Sequence, residues 1–435
     1  MSASIRTVLA ACIAAGAFTA HAQNRAPAAQ YWVDLSTTSM SIPGMPEEAS
    51  VGGTGVGLLG GLMGGNPGAA AMGAMGGMGG RGKSLDAELH VRAKPAGVEG
   101  THAIPAAMNM GPSLLLTPYR PQPASHGGTH AERNDTPERP KGRILMYWGC
   151  GDSIAAGQPR ILDFAKQNAS EYAQFFSSHA GASKGVQNRA GNALWPNERD
   201  SKRVPDNASL QGEHAVSGEG VPPSLKFSVS PEYDFLPRAS MTAKGQPRDG
   251  VQLGWPAMQH AKAYFLHAQG AARGPDGAQD MIIWSSSAKP ENGWALMSYQ
   301  SPAQVAKLLQ QKIVLQPNVT NCTIPKGIFD KAEGAMVNMI AYGPELNVSH
   351  PPRPAKAPAD WQPEWTARVR IKSTGMTMLG MAEGANNADS ANNAAGAHGT
   401  DGAGGAVTEA QDSPLSLPLP GVPNPVKVLK GLFGG

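Results

Sequence analysis

The chain has 435 residues, a formal charge of +3, 6% aromatic residues and 16% charged residues. Near-neutral charge without a Lys/Arg stripe excludes the concentrated basic footprint that nucleic-acid binding needs. Gly 54 and Pro 37 together are about a fifth of the chain, short of a wholly low-complexity composition. Ordered domains diluted by flexible stretches are expected, and the length allows two of them.

Residues 1–22 read as a secretory signal peptide. Arg6 supplies a positive n-region, 7–19 an uncharged apolar run, and Ala20-His21-Ala22 a small-x-small cleavage site. The expectation is a periplasmic or secreted chain starting near Gln23. Leu9-Ala10-Ala11-Cys12 spells a lipobox, but only about five apolar residues precede Cys12 where an h-region needs roughly seven. Cys12 is read as an h-region residue, with a lipid anchor as the alternative. Two cysteines remain, Cys150 and Cys322. In an oxidising compartment they are expected to pair and tie the two halves together; two buried thiols are the alternative.

The first domain is expected over 23–179. Residues 31–42 (YWVDLSTTSMSI) read as a strand. A Gly/Met-rich insertion over 49–82 follows. Residues 84–93 then alternate cleanly, with Leu85, Ala87, Leu89 and Val91 on one side and Ser84, Asp86, Glu88 and His90 on the other. That is the pattern of a half-buried strand. Short apolar strands are expected at 114–116, 143–148 and 161–164, with a Pro/Gly/His-rich loop over 119–142. Strands separated by turn residues argue for an antiparallel sandwich.

Residues 180–222 are polar and rich in Gly, Asn, Ser and Pro, and are expected to link the domains. A second domain is expected over 223–373. Leu225, Phe227 and Val229 alternate, Val251 to Trp255 leads to Ala263-Tyr264-Phe265, and 335–342 (AMVNMIAY) reads as a further strand. Over about 225–350 this resembles a fibronectin type III or immunoglobulin-like module. The resemblance implies that Trp255 and Tyr264 pack into the core between two sheets. A helix at 301–309, with Ser301 as N-cap, Pro302 as first residue and Gln304 completing a capping box, departs from that family's pattern. Residues 365–372 (WTARVRIK) read as a last strand. The remainder, 374–435, is expected to be a low-complexity tail that buries too little to fold alone; a short helix at its end could touch a membrane.

Four candidate sites are weighed. Gly151-Asp152-Ser153 directly after an apolar strand looks like the nucleophile block of GDSL lipases and esterases, which implies Ser153 as nucleophile; the family's D-x-x-H block is absent from the sequence. Met72, Met75 and Met78, with a second cluster at Met376, Met378 and Met381, are soft thioethers of the kind that select Cu(I). His126 and His130, with Glu132 and Asp135, are separated by glycines and read as a solvated loop. Trp284, Trp294 and Trp361 are candidates for an exposed carbohydrate or peptide surface, with core burial an equal alternative for Trp284, which lies within an apolar run.

The expected molecule is mainly β, with two antiparallel sandwich-like domains, one inserted helix, a low-complexity insertion and a disordered tail. It resembles uncharacterised exported proteins of Gram-negative bacteria. The leading expectation is a non-enzymatic binding or scaffolding role in the envelope, without a cofactor, toward an envelope protein or glycan. Copper handling through the methionine clusters and a GDS-type serine hydrolase are the alternatives.

Overall fold

The computed structural model describes residues 26–41, 82–121, 142–166, 169–179, 185–274, 277–332, 334–358 and 360–380. The chain is mainly β. In order the elements are β1 (Ala29–Ser41), β2 (Gly82–Val91), β3 (Gly100–Ala103), β4 (Ser113–Pro118), β5 (Arg143–Trp148), β6 (Arg160–Asp163), α1 (Ala169–Phe175), β7 (Asn192–Trp195), β8 (Gly212–Gly218) and β9 (Lys226–Val229). They continue with β10 (Thr242–Lys244), β11 (Val251–Gly254), β12 (Ala263–Arg273), β13 (Gln279–Ser285), α2 (Pro302–Gln310), β14 (Asn321–Ile324), β15 (Ala335–His350) and β16 (Trp365–Leu379).

Among the described residues thirteen strands form one mixed sheet in the order β6-β5-β13-β12-β15-β16-β1-β2-β7-β4-β3-β8-β9. The pairs β1/β16 and β5/β13 are parallel. The strands β10-β11-β14 make a second, small sheet. Alternation explains the inward faces. Leu85, Ala87 and Leu89 of β2, Tyr31, Val33 and Leu35 of β1, and Ala367, Val369 and Ile371 of β16 belong to one apolar core. The small sheet closes it with Val251, Leu253 and Ile324.

The far end of the large sheet closes the core too. β3 lies four strands from β1 in the hydrogen-bonded order, a flat span of about 19 Å at the usual strand spacing. Yet the Tyr31 hydroxyl is 2.6 Å from His102 Nδ1, so the sheet folds back over β1.

Three segments differ from expectation. Residues 180–222, expected as a linker, carry β7 and β8, both hydrogen-bonded into the large sheet. Their polar look misleads because β8 turns His214 into the core, while Asn192 of β7 is buried on the opposite face against Glu88. β5 and β6, from the stretch assigned to the first domain, join β13, whereas β7 joins β2. The sheet therefore runs continuously through both expected domains. The third segment, 374–379, was expected as tail but completes β16. Its inward positions before Leu379 are Gly375 and Thr377, small or polar, which hides the period: just ahead of them Ser373 Oγ donates to the Pro237 carbonyl at 2.7 Å, and a Cβ on Gly375 would lie 2.1 Å from the Ala239 carbonyl oxygen.

Helix α2 begins as expected. Ser301 Oγ accepts from Gln304 N at 3.2 Å. The reciprocal arm of the box is diverted, since Gln304 Nε2 donates to the His179 carbonyl at 2.7 Å. Val305 and Leu308 of α2 cover Phe265, Ile340 and Tyr342 on the outer face of β12 and β15. Tyr172 and Phe175 of the unexpected helix α1 cover Ile144, Met146 and Ile283 on the outer face of β5 and β13. Outer residues of β16, β1 and β2 are mostly polar instead, with Trp32 at one end and Met40, Met376 and Met378 at the other, and that stretch is the distinctive surface of the sheet. Insertion residues 49–81, the loop 122–141 and residues from 381 onward lie outside the described residues.

Candidate binding face

Strand β1 carries opposite chemistry on its two sides. Its odd positions are core; Gln30, Trp32, Asp34, Ser36, Thr38 and Met40 point the other way. Register sets Arg370 of β16 beside Asp34, and Asp86 of β2 on its other flank. Trp32 sits between Arg368 and Glu88 in the same manner.

The central pair is bidentate. Arg370 Nε donates to Asp34 Oδ1 at 2.7 Å, and the second guanidinium nitrogen donates to Oδ2. Both residues are only 6% exposed. Burial works against the Arg370 cation, but the hydrogen bonds and charge of Asp34 outweigh it and hold its pKa above the ordinary value. Segment 185–187 lies against the pair, with Val186 N donating to Asp34 Oδ2 at 3.2 Å. A Cβ on Gly185 would fall 1.7 Å from a guanidinium nitrogen of Arg370, so this close approach requires glycine. The Tyr299 ring faces Arg370 at 4.4 Å and Lys372 at 4.6 Å, and its hydroxyl donates to the Leu35 carbonyl at 2.9 Å. Burial pulls the Lys372 ammonium below its ordinary pKa, against the opposing pull of Asp34 and Asp86.

Beside this floor, Glu88 accepts from Gln187 N and Asn192 Nδ2, each at 2.7 Å. Its burial pushes its pKa up. The Arg368 guanidinium lies 4.0 Å over the Trp32 ring. The row Asn347, Arg368, Trp32 and the row Ser349, Thr366, Gln30, His90 run across β15, β16, β1 and β2. All of these residues keep some exposure. Chemically, the face is a grid of amide, hydroxyl, imidazole and guanidinium groups around one indole, on a floor fixed by a buried ion pair.

Two further polar clusters are internal. Tyr31, His102 and His214 form a chain whose protons can be assigned. The Leu210 carbonyl can only accept, so His214 Nε2, at 2.7 Å, donates to it. Neutral His214 then accepts at Nδ1 from His102 Nε2 at 2.9 Å, and His102 Nδ1 accepts from the Tyr31 hydroxyl at 2.6 Å. Burial pulls both histidines below their ordinary pKa, His102 further than His214, and pushes Tyr31 up. Phe227 stacks on His214 at 5.0 Å. The second cluster is Glu291, buried, which accepts from Ser178 Oγ, His179 N, His179 Nδ1 and Gly293 N at 2.9–3.1 Å. It anchors the end of the α1 segment.

The residues singled out in the sequence are scattered. Cys150 and Cys322 are joined in a disulfide, Cα atoms 5.2 Å apart, and Gly151 N donates to the Thr323 carbonyl at 2.9 Å. This corner ties the segment after β5 to the small sheet. Trp255 and Tyr264 are both buried, rings edge-to-face at 5.7 Å. Ser153 is exposed in the turn after β5, and among the described residues no histidine is hydrogen-bonded to it. Met72, Met75 and Met78, and His126 and His130, lie outside the described residues. Trp284 is buried with Nε1 donating to the Gly149 carbonyl, Trp294 stacks on Phe176, and Trp361 lies under Arg353. Among the described residues no group of three or more His, Cys, Asp or Glu could hold a metal ion, and no helix is long and apolar enough to cross a membrane.

The sequence reading did not single out Asp34, Glu88, Arg368 or Arg370. A signal was present: one carboxylate inside the strand run YWVDL, and two arginines alternating with Val369 and Ile371. What it lacked was the register that joins positions 336 residues apart. Compared with known protein families, curated proteins and solved structures, the chain matches none.

Proposed function

We propose that this chain is an exported, non-enzymatic binding protein of the cell envelope, and that the outer face of β15, β16, β1 and β2 is its recognition surface for a polar envelope polymer, a glycan in the first place. The observation that carries the reading is the half-exposed Trp32–Arg368 stack, flanked by Gln30, Asn347 and Thr366 and seated beside the buried Asp34–Arg370 pair. Sugar recognition asks for an aromatic face together with fixed donors and acceptors. A floor locked by a bidentate pair holds those groups without a further ordering cost on binding.

Export is supported by the signal-like N-terminus and by the Cys150–Cys322 disulfide, a bond that persists in oxidising compartments. We also propose that residues 242–379 contain a fibronectin- or immunoglobulin-like module. Its support is connectivity: β10-β11-β14 on one side and β13-β12-β15-β16 on the other match strands A-B-E facing C-F-G with one added edge strand. On this assignment Trp255, just after β11, and Tyr264 of β12 come from facing sheets, as the resemblance implies.

The test is co-sedimentation of the purified chain with insoluble cell-wall glycan, alongside Trp32→Ala and Gln30→Ala variants. The reading expects the wild type to sediment and both variants to lose at least tenfold in affinity. A wild type that stays in the supernatant with cell-wall glycan and with soluble envelope polysaccharide overturns it.

A further inference from the structure

One corner of the large sheet is crowded with thioethers. β15, β16 and β1 are adjacent, and at the end where β1 and β16 stop, their outer face carries Met336, Met376, Met378 and Met40. Met40 directly opposes Met376, and Met378 directly opposes Met336. Directly opposed residues have Cβ atoms about 5 Å apart, and diagonal ones about 7 Å, so Met40, Met376 and Met378 lie within reach of one another, and Met336, beyond Met376 and Met378 from Met40, is within reach of those two. Methionine's three rotatable bonds let the sulfurs converge.

The patch does not have the make-up of core. Met336 is 8% exposed, and the other three are half-buried. Their neighbours on the same face are polar: Asn338 opposes Met376, and Thr38 and Thr374 lie one step inward with hydroxyls 3.2 Å apart. A neutral imidazole adjoins the patch. His267 of β12 opposes Asn338 and is diagonal to Met336. It is 3% exposed, and among the described residues its Nε2 has no hydrogen-bond partner. Its other ring nitrogen is taken by the Asn292 backbone, and burial lowers its pKa to about 4, which leaves the Nε2 lone pair available.

We propose that Met40, Met376 and Met378, together with Met336, form a binding site for a soft monovalent metal ion, Cu(I). Thioethers are soft donors that select Cu(I) over the divalent ions preferred by carboxylate and water. An uncharged donor set suits a single positive charge better than a double one. The position adds to the argument. The sequence leaves β1 toward Met45 and the run containing Met63, Met72, Met75 and Met78, and leaves β16 toward Met381. The folded patch thus stands where methionine-rich sequence enters and leaves the sheet. This inference does not depend on the glycan reading, because Trp32 and Gln30 lie at the other end of the same strands.

The experiment is anaerobic titration of the full chain with Cu(I) against a chromophoric Cu(I) chelator. It compares the wild type with a Met40→Leu/Met376→Leu/Met378→Leu variant and with a Met72→Leu/Met75→Leu/Met78→Leu variant. Leucine is close to methionine in volume, so the fold is expected to survive, as an unchanged thermal midpoint would show. The proposal expects the face variant to lose at least tenfold in affinity at one site and the second variant to keep that site. Equal affinity and stoichiometry in wild type and face variant, or no Cu(I) taken up by the wild type, overturns it. Should the face variant not fold, methionine-methyl NMR of the wild type with redox-inert Ag(I) reads the site directly: shifts at Met40, Met376 and Met378 support it, and their absence overturns it.

Discussion

The two faces of β1 bury polar groups by opposite means. Inward, Tyr31 starts a neutral chain in which every ring nitrogen has one partner and no charge is buried. Outward, three residues along, Asp34 enters a buried ion pair whose desolvation is offset by a bidentate bond and a backbone donor. The neutral chain needs only correct tautomers, so it specifies the curl of β3 and β8 over β1 at little electrostatic cost. The ionic cluster is sensitive to the loss of either partner, and so it fixes the register of β1 on β16.

That contrast can be broken most sharply at Arg370. Arg370→Leu strands the Asp34 carboxylate, and urea unfolding is expected to show a loss of about 3–5 kcal/mol. The double variant Asp34→Leu/Arg370→Leu should recover most of it. If single and double variants lose equally, the pair is not what fixes the seam.

The neutral groups are expected to fail in acid. His102, His214 and His267 all have folded pKa values below the unfolded value. The unfolded chain therefore binds more protons, and stability is complete above about pH 6.5 and falls as pH drops below it. For His267, lowered to about 4, the loss between about pH 6.5 and pH 4 is on the order of 3 kcal/mol. Thermal midpoints across that range check it. A flat profile would mean that these rings are already protonated or not buried in solution.

A smaller effect sharpens the tautomer assignment. Tyr31→Phe removes the donor to His102 Nδ1 and is expected to cost about 1–3 kcal/mol. Nitrogen-15 imidazole shifts should show both histidines protonated at Nε2 in the wild type. Smallest of all is the exposed outer stack. A double-mutant cycle on Trp32 and Arg368 should give a coupling of about 0.5–1 kcal/mol, with fold and thermal transition otherwise retained, as expected of groups held for recognition.

What the sequence made legible follows from the same contrast. β2, and β16 as far as Lys372, were readable because their inward residues are apolar and strictly alternate. β7 and β8 were not, because they bury Asn192 against Glu88 on the outer face and His214 in the core, and a buried polar residue looks like a surface one until its partner is known. Trp255 and Tyr264 were expected in the core only through the resemblance to a fibronectin- or immunoglobulin-like module, and both are buried. Asp34 and Arg370 did not, since each reads as an ordinary charge until parallel pairing sets them side by side.

The parallel pairing of β1 with β16 has a further consequence, in time rather than space. Among the described strands of the sheet β1 is the first to be synthesised and β16 the last, with their paired residues 336 positions apart. Contacts of such high sequence separation form slowly. Until they form, the β1–β2 hairpin carries an open edge able to pair with any other strand. The middle of this sheet is therefore expected to be the final seam to close, with a folding rate set by chain search rather than by local strand propensity.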